Sequence, residues 1–289
     1  AIGHFDAWNI RMINLVGVPR IKPTKYGNFF FQSKVANYLL YIRHRLILIP
    51  LNNKNTLFMS VEFIAFFAIL SFLTSLLTSI FSVGGGLIML VALAQSFSPV
   101  TLIPLHGSIQ LANNFSRTFV YREFFQWKLI QNIVISTMLG ALVGIYLFGT
   151  LPENLLLMLI AGTILFLTWA PLDNFILSIM KNDWFCGLIS GFAGIFVGAN
   201  GPLVTAYLRT KTLSPEVLVA NHGAIMIFQH GVKIILFASF FNFTILDYLF
   251  FISILAATGF AGANLGKRLI STISFDSFNM ILKVLLTFL

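Results

Sequence analysis

Three consecutive glycines interrupt an apolar stretch at residues 80–90, IFSVGGGLIML. Each glycine inside a helix costs about 1 kcal/mol relative to alanine, so the sequence predicts that a helix stops here. A second break lies between apolar segments at residues 198–202, GANGP. Open backbone in hydrocarbon leaves polar groups unsatisfied, and it is tolerated only where protein or a water-filled cavity receives it. We therefore expect the fold to be built around these two breaks.

The composition indicates an integral membrane protein. Of the 289 residues, 58% are hydrophobic and only 9% are charged, and the mean hydropathy is +0.91. Soluble domains carry about 25% charged residues. A transmembrane helix needs roughly 20 apolar residues, so the length allows about eight spans. We predict an all-α, polytopic membrane protein.

The chain repeats its own pattern at a fixed spacing. Three features return 116 residues later and one glycine pair returns after 122: Ser98 and Pro99 as Ser214 and Pro215, His106 and Gly107 as His222 and Gly223, Arg117 as Lys233, and Gly140 and Gly144 as Gly262 and Gly266. This predicts two internal repeats with Gly-broken helices, at residues 57–170 and 184–289, joined by a connector at residues 171–183. If each broken stretch crosses the membrane as one span, each half has four spans and the two halves have the same orientation. If each broken stretch is a re-entrant hairpin, each half has three spans and the two halves are inverted. Transporters with repeats bind substrate at the repeat interface.

Residues 1–56 form a basic N-terminal extension that we expect outside the membrane. Eight of the 18 Lys and Arg residues lie here, against the single acid Asp6. Such charge follows the positive-inside rule, and it also suits anionic lipid or a partner, in a homo-oligomer or a larger membrane complex. No aromatic-basic module accompanies it, so we expect no nucleic-acid partner. Because the chain begins with Ala1 and no signal-peptide core precedes residue 38, we expect any targeting segment to have been removed.

A polar stripe follows each break. At about 100° per residue, each set falls on or beside one helix face: His106, Gln110, Asn113, Asn114 and Arg117 in the first half, and His222, Gln229, His230 and Lys233 in the second. Interhelical hydrogen bonds, worth about 0.6 kcal/mol each, are the alternative role for the amides. An intramembrane cation costs about 2.5 to 3.5 kcal/mol and is by default functional or paired. Arg117 and Lys233 also lie late enough in their helices for their head groups to reach an interface.

The stripes predict a positively charged site for a small anion. Neither stripe carries an acid, and helices that start at the breaks would point partial positive charge toward them. The predicted substrate-binding residues are Gly84, Gly85, Gly86, His106, Gln110, Asn114, Arg117, Asn200, Gly201, His222, Gln229, His230 and Lys233. The imidazoles predict pH-dependent transport. We expect no metal and no cofactor.

An enzyme is disfavoured. The sequence has no HExxH motif, no nucleophile elbow and no paired intramembrane carboxylates. Cys186 is the only cysteine, which excludes an internal disulfide and a two-thiol relay.

Four stretches resemble the TauE/SafE group of sulfite exporter-like permeases. They are SVGGGLIML (82–90), HGSIQLANNFSRTFVYREFFQWK (106–128), GANGPLVTAYLRTKTLSPE (198–216) and NHGAIMIFQHGVKIILF (221–237). The resemblance covers about residues 60–289. It implies a permease for a small anion, a sulfur oxyanion or organosulfonate such as sulfite, with Gly84 to Gly86 and Asn200 to Pro202 facing the anion.

A second hypothesis is a transporter-derived structural or accessory subunit of a larger membrane complex that no longer transports. The long basic extension and the high phenylalanine count of 32 motivate it, since the latter suggests an AT-rich genome. The expected location is accordingly a bacterial cytoplasmic membrane or a mitochondrial inner membrane. A transporter would bind anions alone, whereas a subunit would tolerate the loss of Arg117 and Lys233.

Overall fold

The computed structural model describes residues 59–82, 84–169, 181–197, 200–212 and 214–269. Within these ranges all regular structure is helical. The predictions for residues 1–56, for most of the connector and for the last span, at residues 274–289, lie outside the described residues.

Nine α-helices and two short 3-10 helices make up this described part. The first half contains α1 (Val61–Phe81), α2 (Gly85–Ala94), α3 (Pro99–Val120), α4 (Trp127–Phe148) and α5 (Glu153–Trp169). The second half contains α6 (Asp183–Val197), α7 (Gly201–Arg209), α8 (Pro215–Phe241) and α9 (Leu249–Leu269). The 3-10 helices Arg122–Phe124 and Ile245–Tyr248 precede α4 and α9.

Four helical segments of the described part are long and apolar enough to cross a membrane: Val61–Phe81, Trp127–Phe148, Pro215–Phe241 and Ile245–Leu269. Shorter apolar helices lie at Gly85–Ala94, Glu153–Phe166 and Asp183–Phe196. Large apolar side chains are exposed on the outer surface, as at Phe250 (71% exposed) and Met158 (70%). An apolar exterior suits lipid rather than water. The chain is an integral membrane protein.

Helix α1 ends before the glycine run begins. Helix α1 ends at Phe81, and Ser82 then takes the left-handed conformation, with φ 62°. Gly84 has φ 100° and Gly85 already begins α2. A Cβ on Gly85 would collide with the backbone oxygen of Thr74, so α2 starts against the last turns of α1. The glycines thus allow the chain to reverse direction after α1 and allow the start of α2 to approach the backbone of α1 closely.

Two helix pairs are held by close glycine contacts. Helix α4 packs on α6, where a Cβ on Gly140 would collide with the backbone oxygen of Leu188. Helix α9 packs on α1, where a Cβ on Gly262 would collide with the backbone oxygen of Phe72. Small residues let helix backbones approach closely in membranes, where van der Waals packing drives association. In each half, therefore, one helix (α4 or α9) packs on the first helix of the other half (α6 or α1).

The contacts also give the relative directions of the helices. Helices α3 and α8 are antiparallel, because Gly107 early in α3 lies against Lys233 late in α8, whereas Gly223 early in α8 lies against Thr118 late in α3. Helices α1 and α9 run parallel. Ser71 donates to the carbonyl of Leu255, at 2.7 Å, and further along both helices a Cβ on Gly266 would collide with Ser79.

We expect Gly140→Ala to destabilise the protein, because the added methyl group meets the backbone of α6 rather than a movable side chain. Overpacking of this kind costs about 1–3 kcal/mol. Thermal unfolding of detergent-solubilised protein should show a lower midpoint. Gly162→Ala is the matched control, since a Cβ there has nothing within 4 Å; equal midpoints for the two variants would contradict the close α4–α6 contact.

Candidate functional site

A buried cavity lies where the two helix breaks meet. Its wall contains the following residues: Thr78, Ser82, Gly84, Gly86, Leu87, His106, Gln110, Asn114, Arg117, Gly201, Pro202, His222, Met226 and His230. The cavity has a volume of about 30 Å³. At roughly 10–15 Å³ for each water, the cavity holds two or three waters or one small ion.

The breaks contact each other directly. The hydroxyl of Thr205 in α7 donates to the carbonyl of Ser82 in the first break, at 3.0 Å. Helices α2 and α7 start at the cavity, with Gly86 and Gly201 in its wall. The first turn of a helix has free N–H groups and a partial positive charge, which favour an anion. Both breaks thus contribute to one site.

Two histidines are fixed to the first turns of these helices. The Nε2 atom of His106 lies 2.9 Å from the carbonyl oxygen of Gly86, and Nε2 of His222 lies 3.3 Å from that of Gly201. Since a carbonyl only accepts, Nε2 carries the hydrogen in each contact. The other ring nitrogen of His222, Nδ1, is buried and has no hydrogen-bond partner within the described ranges. It is therefore available to a group in the cavity.

Arg117 brings a full positive charge into the wall. Its side chain is 2% exposed, so the guanidinium lies inside the protein. Its Nη2 atom donates to the side-chain oxygen of Asn114, which is in turn held by a 2.7 Å bond to the carbonyl of Gln110. The Nε–H of Arg117 is buried and has no hydrogen-bond partner in the described part of the chain. Asn114 thus orients the guanidinium of Arg117, and the Nε–H of that guanidinium can still donate a hydrogen bond.

Four of the predicted binding residues lie outside the cavity wall: Gly85, Asn200, Gln229 and Lys233. Asn200 donates to the side-chain oxygen of Gln229 at 2.7 Å, and the amide nitrogen of Gln229 donates to Thr137 at 3.1 Å and to Ser190 at 2.9 Å. This network joins α4, α6, α7 and α8. These contacts match the alternative role for the amides, in which Gln229 forms interhelical hydrogen bonds.

Lys233 is buried behind the wall. Its side chain is 2% exposed, and its Nζ atom lies 3.4 Å from Nδ1 of His230, which does line the cavity. The ring of His230 lies edge-on to that of His106, with the centroids 6.0 Å apart. Arg117 is buried to the same extent as Lys233, so both cations lie inside the protein. The two stripes are antiparallel, so the cation of the second stripe lies beside histidine side chains of both.

The carboxylates of the described residues lie outside the cavity wall. Those that the structure describes occur in the first turns of helices, namely Glu62, Glu123, Glu153, Asp183, Glu216 and Asp247. None of the described residues in the cavity wall is acidic. The cavity therefore has positive potential from Arg117 and from two helix starts.

Sequence reasoning did not single out Thr78, Ser82, Leu87 or Met226 as site residues, although they line the cavity. Thr78 and Ser82 form the last turn and end of α1, and Met226 stands in the second stripe where the first has Gln110. The hydroxyl of Thr78 bonds to the carbonyl of Thr74, at 2.7 Å, so it points back along its own helix. Hydroxyl residues directly before a helix break are the signal that could have identified these positions.

The sequence model of the family described as Sulfite exporter TauE/SafE matches residues 67–289. No curated protein and no solved structure matches the chain. The family match covers more than three quarters of the sequence and includes both breaks and both stripes. It confirms the resemblance seen in the sequence motifs. The chain belongs to the TauE/SafE sulfite exporter family.

Proposed function

We propose that this protein is a membrane permease for a small sulfur oxyanion such as sulfite, bound in the cavity between the two helix breaks. The observation that carries the proposal is Arg117, a guanidinium buried in a cavity whose described wall has no carboxylate. A buried charge needs a partner or water. An anion in the cavity supplies that partner.

The surrounding groups support the same ligand. Two helix starts face the cavity, and the buried Nε–H of Arg117 has no protein acceptor in the described ranges. A sulfur oxyanion presents several oxygen acceptors around one centre, which suits donors that converge from different helices. The small volume favours sulfite or thiosulfate over organosulfonates with longer carbon chains.

We also propose that the two halves are inverted repeats. The contacts at Gly140 with Leu188 and at Gly262 with Phe72 involve equivalent positions, since the glycines differ by 122 residues and their partners by 116. Helices α3 and α8 occupy equivalent places and run antiparallel. Equivalent spans that run in opposite directions require a pseudo-two-fold axis in the membrane plane, as in many secondary transporters. Of the two alternatives that the sequence left open, this proposal favours the one in which re-entrant hairpins leave an odd number of spans in each half.

The proposed partners are the anion and the surrounding lipid, with residues 1–56 as the surface for anionic headgroups or for a second protein. Either a bacterial cytoplasmic membrane or a mitochondrial inner membrane would suit this arrangement. Transport needs only the site and its two helix breaks, so anion binding should not depend on a partner.

We expect Arg117→Met to abolish sulfite binding while the protein remains folded. Losing a buried charge that pairs with a ligand costs about 2–5 kcal/mol, or roughly 30- to 4,000-fold in Kd. In the empty protein, removing the charge relieves a desolvation cost. Isothermal titration of detergent-solubilised protein with sulfite measures Kd, and the elution volume in size-exclusion chromatography reports folding.

Arg122→Met is the matched control for that experiment. Arg122 lies five residues further on, outside the cavity wall, where its guanidinium covers the ring of Phe119 at 4.9 Å. It should bind sulfite like the unmodified protein. Unchanged binding in Arg117→Met would contradict the proposed site and favour the accessory-subunit hypothesis.

Inverted repeats predict that the chain leaves α3 and α8 on opposite sides of the membrane. Single cysteines replacing Glu123, after α3, and Asp247, after α8, test this in a Cys186→Ser background. In sealed vesicles of uniform orientation, a membrane-impermeant maleimide should label only one of the two variants, and detergent should expose both. Labelling of both variants from the same side would contradict the inverted arrangement.

A further inference from the structure

The ring of His222 presents an acceptor to the cavity. Its Nε2–H donates to the carbonyl of Gly201, at 3.3 Å, so in the neutral ring Nδ1 has no hydrogen and carries a lone pair. That Nδ1 atom is buried and has no hydrogen-bond partner among the described residues. His222 is itself part of the cavity wall. A group that pairs with Nδ1 in the cavity must therefore be a donor.

We propose that the cavity binds its anion with one oxygen protonated, so that the ligand is a monoanion with an O–H group. For a sulfur oxyanion this is hydrogen sulfite rather than the sulfite dianion. The proposal rests on the proposed function, because it concerns the anion in the same cavity. It goes further in assigning the protonation state of that anion and the residue, His222, that selects it.

Arg117 supplies the complementary contact. Its Nε–H is buried without an acceptor in the described part of the chain, and its charge acts on His222. An anion of the form HO–SO2⁻ satisfies both groups, because a charged oxygen accepts from Arg117 while the hydroxyl donates to Nδ1. A fully ionised oxyanion has only acceptors. It would satisfy Arg117 but would place oxygen lone pairs against the lone pair of His222.

The surroundings of His222 favour the neutral ring that this contact needs. The charged or titratable groups that act on His222, or on its neighbour His230, are His106 and Arg117 on α3 and Lys233 on α8. All of them are neutral or positive, so they oppose a second proton on the ring of His222. The hydrogen of the new contact therefore comes with the ligand.

The described acids do not offset this effect, because none of them lies in the cavity wall. Asp183 at the start of α6 pairs with Lys211, at 2.8 Å. Glu123 after α3 pairs with Lys267 on α9, at 3.1 Å. Glu216 lies in the first turn of α8. Helices α1, α4, α6 and α7 thus bring no described carboxylate to the cavity beside His222.

Two anions of equal charge and similar shape test the need for a donor. Hydrogen carbonate and nitrate are planar monoanions with three oxygens, and only hydrogen carbonate has an O–H group. Isothermal titration of the detergent-solubilised full chain, slightly above neutral pH, gives Kd for each. We expect hydrogen carbonate to bind roughly 10- to 100-fold more tightly, since nitrate leaves Nδ1 unsatisfied.

The opposite result is what charge alone predicts. Nitrate is the easier of the two anions to dehydrate, so a cavity that selects only a negative charge would bind nitrate at least as tightly. Equal affinities, or a preference for nitrate, would overturn the proposal.

Sulfite gives a second test, because it exchanges one proton with water near neutral pH. Where the dianion predominates, the apparent affinity for total sulfite should fall about tenfold for each unit by which the pH rises. Nitrate stays unprotonated over the same range, so its affinity reports any titration of the protein itself. A sulfite affinity that stays constant or increases with pH would show that the dianion binds, contrary to the proposal.

Substitution of His222 tests the residue. His222→Phe keeps a ring but has no acceptor, so the preference for hydrogen carbonate over nitrate should fall toward one. His222→Gln has a side-chain oxygen that can accept, so it should retain part of the preference. A merely structural role for His222 would lower both affinities and leave their ratio unchanged. Both anion comparisons use the unmodified protein, so they decide the question even if a variant does not fold.

His230→Phe is the matched comparison on the same helix. His230 also lines the cavity, but its Nδ1 atom lies 3.4 Å from Nζ of Lys233. This variant should keep the preference for hydrogen carbonate, even where both affinities fall. A preference that disappears in His230→Phe and survives in His222→Phe would overturn the assignment to His222.

Failure of this proposal differs from failure of the proposed function. If sulfite binds as a dianion and nitrate binds as well as hydrogen carbonate, the selection of an O–H group is wrong and the anion site stands. If sulfite, hydrogen carbonate and nitrate all fail to bind, the proposed function is wrong, and the selection by His222 is wrong with it.

Discussion

A helix that ends inside an apolar layer leaves backbone groups that lipid cannot satisfy, and this constraint organises the protein. The carbonyl of Ser82 in the first break accepts a hydrogen bond from Thr205, and the carbonyl of Gly86 accepts one from His106. His222 makes the corresponding contact in the second half. The donors come from other helices, so each break depends on its neighbours for its satisfied backbone. The polar residues that hold the breaks together therefore also form the wall of the cavity.

Close helix packing is what brings those donors within reach. The contacts of Gly140 on α6 and of Gly262 on α1 place backbones against each other without intervening side chains. The network of Asn200 and Gln229 then ties the second break to α4 and α6. In the first half, Asn113 donates to Ser71 at 3.1 Å and lies against Gly259 on α9. Small residues and amides thus fix the geometry, while histidines and the arginine provide the chemistry.

The sequence predicted the breaks, the two stripes and the family, because each depends on local residue types and on regular spacing. It did not decide between parallel and inverted halves, since a fixed offset fits both. The antiparallel packing of α3 against α8 is the observation that supports the inverted arrangement proposed above. Both cations were predicted to bind the anion, but Lys233 lies beside His230 and outside the cavity wall, while Arg117 lies in it. A helical wheel shows which side of a helix a residue is on, and it contains no information about the neighbour on that side.

The distribution of charge gives the site its function. The two ion pairs found in the described part, Lys211 with Asp183 and Lys267 with Glu123, are partly exposed and lie at helix ends. Exposed pairs of this kind contribute only about 0–1 kcal/mol, so their loss would cost the fold little. Their arrangement nevertheless keeps these acids away from the buried cations. An acid placed beside Arg117 would neutralise it permanently and stabilise a closed, inert core. Under the proposed function, a mobile anion takes that position, which makes the occupied site favourable and the empty site costly; a carrier can use this difference to couple binding to movement.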